Sequence, residues 1–352
     1  MIKSVEFKNK TGKMPSVEFR KYETNFLVAG TPDIFSNEED DNAVITVIST
    51  YGEMFPNGNT DEKPYYFFRH TNGLTWDTRF VGFIELGDTP LEYQKGGHID
   101  NLSVDNAKNP YYKKISDYPN EYYSLGTEEP YFEYQFTDTY AILKEGDFFD
   151  VKAEYFPFAV VDHSSIWNNV CPIYQTALLT GTYEGKPVLG LAHIDRSFKQ
   201  HGNDKYELLG YIDNEFDGIR EDGRRETAII HIDTTTEKVF AYYWLEGEEP
   251  IVSDTVIMEA EWVRLPYCND GTCIYKEAVY RFAGKEIHFT AKWGTKGFTA
   301  HPRLDKYGQS QVMGTWYEGK TPYKHKLYMT FNENQEAFDN HIEQLGFDVV
   351  DE

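Results

Sequence analysis

The chain has 352 residues, 40 % of them hydrophobic and 16 % aromatic, with 34 Lys and Arg set against 58 Asp and Glu for a net charge of −24. That length suits two domains or one large one, and aromatics spread along the whole chain exclude an acidic disordered segment. The charge excludes a nucleic-acid partner, whose phosphates need Lys and Arg, and disfavours anionic membrane surfaces for the same reason.

The first twenty residues are interrupted by charges and hold no apolar core of a secretory signal, which suits a cytoplasmic protein; a leader removed during maturation would leave export open. No stretch approaches the roughly 18 apolar residues of a membrane span. From there the dominant pattern is short alternating runs of Val, Ile, Tyr, Phe and Thr broken by Gly, Asn and Asp. In chain order it predicts strands over Ala43–Thr50, Tyr65–Thr71, Thr78–Glu85, Phe132–Thr137, Tyr140–Leu143, Phe148–Tyr155, Tyr174–Tyr183 and Lys186–Ile194. The second half adds Lys205–Ile212, Arg225–Asp233, Lys238–Trp244, Val256–Val263, Thr272–Phe282, Lys285–Trp293, Gln309–Trp316 and Lys324–Asn332. Many strands at short intervals mean an all-β sandwich or barrel. Gly87–Glu129 reads as a long structured loop. One helix is expected, near the end, capped by Asn332 or Asn334, with Phe338, Ile342 and Leu345 at helical spacing and Gly346 as its stop.

Candidate site residues follow the same order. Arg69, His70, Trp76, Asp77 and Arg79 gather around an Asn-Gly turn, where Trp76 is a ligand-stacking candidate. Trp167 and Asn168 lie in an irregular polar-aromatic stretch, the kind of loop that carries binding residues. His193 and Asp195, two apart on a strand, project to one face as either an oriented acid–base pair or a satisfied polar pair. His231 and Asp233 repeat that spacing, without the His-x-His, HExxH or CxxC motif that would mark a metal site. Tyr242, Trp244 and Glu246 share a face, as a ligand wall ending in an acid or as a strand running into the solvated turn Glu246–Glu249. Cys268 and Cys273 flank an Asn-Asp-Gly turn, as free thiols in a reducing compartment or as a cross-strand disulfide after export. His288 reads as a half-buried sheet histidine. Dinucleotide, Walker, GxSxG and kinase motifs are missing, so no nucleotide or cofactor is expected.

Two phrases carry a family resemblance. Gln175–Phe198 runs strand, Glu-Gly-Lys turn, strand, then His-Ile-Asp-Arg, and Gly314–Thr321 reads GTWYEGKT. Both resemble the AttH-type, carotenoid-hydratase-like (hydroxyneurosporene synthase-like) family, the first at its domain junction and the second near the end of its second domain. The family's Trp or Tyr before the Asp is His193 here, and the aromatic and Gly after the basic residue are replaced by Ser197, Phe198 and Lys199. The resemblance implies two lipocalin-like β-barrel domains packed together, expected at 1–190 and 191–352, with the helix at the end of the second. It further implies a hydrophobic small molecule, isoprenoid- or polyketide-like, held in a barrel or interdomain cavity. Cofactor-independent hydration, isomerisation or cyclisation would make the protein a lyase or isomerase, with His193 and Asp195 catalytic. Two alternatives stay open: a non-catalytic carrier, and a carbohydrate-active protein using paired carboxylates among Asp195, Glu226 and Glu246.

Overall fold

The computed structural model describes residues 2–10, 14–18, 44–72, 78–80, 83–92, 102–104, 112–116, 121–126, 130–137, 139–161, 170–200, 210–235, 238–268, 270–295 and 310–352. These fold into curled antiparallel sheets with one short helix, the all-β architecture expected from the strand pattern, in the lipocalin-like half-barrel form that the family resemblance implies. No helix among the described residues is long and apolar enough to cross a membrane.

The chain divides into two compact units, one of Pro15–Gly82 and Asp100–Tyr206, the other of Met1–Met14, Phe83–Ile99 and Glu207–Glu352. Lys186–Gln200, which spans the expected division at 190/191, is one uninterrupted strand. It pairs along its length with Val170–Tyr183 on one side and Val44–Pro56 on the other.

In the N-terminal unit the sheet runs, in spatial order, through Tyr65–Asn72, Val44–Pro56, Lys186–Gln200, Val170–Tyr183, Phe149–Tyr155, Tyr140–Glu145, Pro130–Phe136, Glu121–Gly126 and Tyr112–Ser116. The last two strands fall inside the segment expected to be a loop. Their Tyr residues and a bulge at Lys114/Ser116 give them weak alternation, so the turn-rich composition masked them.

In the C-terminal unit the order is Lys3–Lys8, Thr255–Arg264, Cys273–Phe282, Lys285–Gly294, Ser310–Glu318, Leu327–Gln335, Tyr211–Ile219, Arg225–Asp233, Val239–Leu245 and Ile251–Ser253. Val349–Val350 adds a parallel pair to Thr255–Arg264. The sheet curls so that alternate residues of distant strands meet: Phe216 packs against Tyr280, Phe289 and Trp316 at ring-centre distances of 6.0, 5.7 and 5.8 Å. Two bulges shape it, at Glu261/Trp262 and Ala291/Trp293. At the first, Glu261 pairs Glu277 while Trp262 pairs Tyr275, so Lys276 is an extra residue. That extra residue reverses the inward–outward parity and lets odd-numbered Tyr275 and even-numbered Tyr280 both be buried.

The helix spans Asp339–Leu345 and ends at Gly346, whose φ of 107° is the left-handed stop that Gly permits. Its start differs from expectation. Phe338 occupies the N-cap, and Asn332 and Asn334 belong to the Leu327–Gln335 strand. Of the strand expected at Lys205–Ile212, residues 205–209 lie outside the described residues; a strand runs over Tyr211–Ile219, where Asp213, Asn214, Glu215 and Asp217 look like turn residues and are strand residues.

The two Gly-Thr phrases share a physical basis. A Cβ on Gly181 would lie 2.1 Å from the Asp150 carbonyl oxygen, and one on Gly314 would lie 1.9 Å from that of Thr290. Each glycine lets its strand lie close against its neighbour. The Glu184-Gly185 turn that follows the first has positive φ at both residues, as a two-residue hairpin requires.

Candidate functional site

His193 is fully buried in the N-terminal unit, on the long Lys186–Gln200 strand, with its Nε2 2.6 Å from Asp195 Oδ1. The spacing of two on a strand therefore places both on one face. The imidazole is flanked by the rings of Tyr174 and Tyr51 at 5.7 and 6.4 Å. An imidazole oriented by a carboxylate within an aromatic wall is chemically suited to moving a proton. Trp76, Trp167 and Asn168 lie outside the described residues.

His231, Tyr242, Trp244 and Glu246 belong to the C-terminal unit. His231 is held by Asp213, with 3.1 Å between Nδ1 and Oδ1. Asp213 stands directly across from it on the Tyr211–Ile219 strand, whereas Asp233 turns back to accept the backbone N–H of Thr235 at 2.7 Å. The His231 ring stacks on Phe240 at 5.4 Å and 7°. Tyr242 and Trp244 are buried and, by alternation, on the same face as Phe240. Glu246 leaves that wall: it sits in the turn after Leu245, bound through both oxygens to the Arg225 guanidinium at 2.5 and 3.0 Å. Those hydrogen bonds lower its pKa, so the solvated-turn reading describes it.

Sequence reasoning passed over the opposite, inward face of the same sheet. Alternation puts Asn214 and Phe216 of one strand and Thr330, Asn332 and Asn334 of its neighbour inside, all of them fully buried or nearly so. Tyr275 reaches in from across the sheet. Its hydroxyl donates to Asn214 Oδ1 and lies 3.3 Å from Asn332 Oδ1, while Asn332 Nδ2 donates to the Val312 carbonyl at 3.1 Å. Asn334 Nδ2 donates to Ser310 Oγ at 3.4 Å, and the Tyr280 hydroxyl has no hydrogen-bond partner among the described residues. Burial pushes the Tyr275 and Tyr280 hydroxyls up, so both remain protonated donors. Trp262 stands edge-on to Tyr275 at 5.0 Å, fully buried, and its indole N–H has no hydrogen-bond partner among the described residues. Polar groups placed among Phe216, Phe289 and Trp316 cost stability unless each finds a partner.

A second buried cluster closes around Glu226, which is 0 % exposed. Its carboxylate accepts from Arg220 at 2.5 and 2.9 Å, Tyr243 at 2.6 Å and Tyr323 at 2.8 Å, and His325 Nε2 lies 2.9 Å away. Burial raises the Glu226 pKa, but the His325 and Arg220 hydrogen bonds outweigh it and bring it down to about 2. The His325 ring rests on Trp316 at 4.5 Å. A carboxylate saturated with donors and held ionised cannot be a general acid, and Glu246 is held low by Arg225. That leaves neither Glu226 nor Glu246 for the acid role of a glycosidase.

The remaining candidates are structural. His288 is half-buried, 2.8 Å from Glu286 and stacked on Tyr317 at 4.5 Å. Cys268 and Cys273 are free and buried, Cys268 lying in the loop before Cys273's strand rather than across from it. Burial pushes the Cys273 thiol up to about 12, which makes it unreactive.

No protein-family model and no curated protein matches the chain. Among solved structures it is similar to a candidate AttH from Nitrosomonas europaea (12 % identity, TM-score 0.44, 86 % of this chain and 96 % of that one). It is also similar to CghA, solved with Sch210972 (13 %, 0.45, 84 % and 89 %), and to kievitone hydratase from Nectria haematococca (12 %, 0.39, 95 % and 99 %). The first is of the type that the Gln175–Phe198 and Gly314–Thr321 phrases resemble. At these identities and TM-scores no residue role or activity is carried across; the half-barrel reading rests on the sheets themselves.

Proposed function

We propose that the protein binds a hydrophobic small molecule, of isoprenoid or polyketide character, in the aromatic interior of the C-terminal half-barrel. The observation that carries this reading is the polar cluster of Asn214, Asn332, Asn334, Tyr275 and Tyr280 set among Phe216, Phe289, Trp316 and Trp262. Small-molecule sites are concave, mostly apolar and oriented by a few convergent polar groups, which is the composition of this interior. Mass spectrometry under native conditions, on protein exposed to an isoprenoid and polyketide panel, tests it. Saturable one-to-one adducts that Phe216→Trp abolishes are expected, and no adduct across the panel would end the reading.

A second reading instead places a substrate at the His193–Asp195 pair of the N-terminal unit and adds catalysis there, which that pair favours. A lyase or isomerase without a cofactor needs an oriented group that gives and takes one proton at a bound substrate. His193→Ala and Asp195→Asn would then abolish turnover while adducts persist. A carrier would keep its adducts and show no turnover in either form.

A further inference from the structure

The interior of the C-terminal half-barrel also says which ligands it suits. Trp262 is 0 % exposed, so water does not reach its indole N–H, and no described residue accepts from it. Its neighbours do not relieve this: Tyr275 presents its ring to Trp262 at 83° and spends its hydroxyl on Asn214 and Asn332, and Phe347 offers only carbon at 6.0 Å. The bulge at Glu261/Trp262 is what brings Trp262 and Tyr275 opposite one another, and bulges are a means of re-aiming side chains at sites. An unpaired buried donor has already lost its hydration, so a ligand oxygen that accepts from it recovers an interaction whose cost the fold has met. The Asn214 and Asn332 oxygens are engaged by Tyr275, and the other unpartnered groups of this cluster are Asn214 Nδ2 and the Tyr280 hydroxyl, which can donate, and Asn334 Oδ1, so unpaired donors outnumber unpaired acceptors there.

We infer that the ligand is an apolar molecule carrying a carbonyl oxygen, and that Trp262 is the specificity-determining donor to that oxygen. The inference rests on the proposed binding reading. A carbonyl suits the position better than a hydroxyl, because a hydroxyl brings a proton that would need its own acceptor in the same interior.

Competition against a fluorescent apolar probe, with 2-tridecanone and tridecane as ligands of equal chain length, tests it on the full chain. Satisfying the orphaned donor predicts about tenfold tighter binding of the ketone. Trp262→Phe keeps an aromatic ring and removes the N–H, and narrows that gap to under about threefold. The wild-type comparison needs no variant, so it stands even where Trp262→Phe fails to fold. Equal affinity of the two ligands for the wild type overturns the inference and leaves the binding reading intact. Displacement by neither ligand overturns both.

Discussion

Replacing Glu226 by Gln tests whether the buried network at the end of the half-barrel holds the C-terminal unit together. The substitution keeps shape and removes the charge that Arg220, Tyr243, Tyr323 and His325 converge on. The carboxyl falls from 4.5 to about 2 on folding, which at about 1.36 kcal/mol per tenfold corresponds to about 3 kcal/mol at neutral pH. Because the folded-state value is depressed, this stabilisation is complete above pH 4.5 and is lost as pH falls through 2. At pH 3 the same arithmetic leaves less than half of that. Breaking a buried pair by removing one partner costs about 3–5 kcal/mol in other proteins, a compatible range. Urea titrations of wild type and Glu226→Gln at pH 7 and pH 3, with hydrogen exchange following the Arg225–Asp233 strand, give the two differences directly. Other carboxylates titrate equally in both proteins, so the gap isolates Glu226. A gap under about 1 kcal/mol at pH 7, or one that does not shrink at pH 3, refutes the assignment.

Gly218→Ala should destabilise the same cluster, because a Cβ there would lie 2.3 Å from the His325 ring; a loss of about 1–3 kcal/mol is expected by thermal denaturation, and Gly218→Ala adding nothing to His325→Ala would tie it to that contact. Gly314→Ala and Gly181→Ala should each lower the melting temperature strongly, the added methyl meeting a backbone carbonyl in the next strand, whereas Gly185→Ala, which meets nothing within 4 Å, should cost only the strain of its positive φ. Tyr275→Phe removes the donor shared by Asn214 and Asn332 and should cost about 1–3 kcal/mol in urea titration. Asp213→Asn should disturb the His231 ring resonances in an NMR pH titration, since Asp213 hydrogen-bonds to that ring.

The fold was legible wherever alternation is carried by apolar residues. Arg225–Asp233 appears with the bounds the sequence predicts, and most other strands of the C-terminal unit agree to within a residue or two. It was illegible where polar residues alternate. Asp213, Glu215 and Asp217 occupy one face of Tyr211–Ile219, and Asn214 the other, yet Asp and Asn in a run are ordinarily turn residues. The signal was present as a period of two in the acids. Acidic residues ordinarily lie at the surface, yet several lie inside here: Glu53, Glu215, Asp217 and Glu226 are all 0 % exposed. Likewise Asn332 and Asn334 resembled helix caps because a helix follows, while the alternation of Tyr328, Thr330, Asn332 and Asn334 marks a strand.

Of the site, the local pairings within a strand could be read and the partners across strands could not. His193 and Asp195 are neighbours by spacing alone. The Asp213–His231 pair depends on strand register, which a sequence does not display. Glu226 drew notice as a carboxylate, but its partners Arg220, Tyr243, Tyr323 and His325 lie up to 99 positions away along the chain, and only the curl of the sheet gathers them.

The central claim, a carbonyl-bearing apolar ligand inside the C-terminal half-barrel, is tested most directly by a crystal structure of the wild type with a chain-brominated 2-tridecanone. The account predicts an anomalous bromine peak among Phe216, Phe289 and Trp316 with the ketone oxygen at hydrogen-bond distance from the Trp262 indole N–H. Side chains closing that interior completely, with bromine bound elsewhere or not at all, would contradict it.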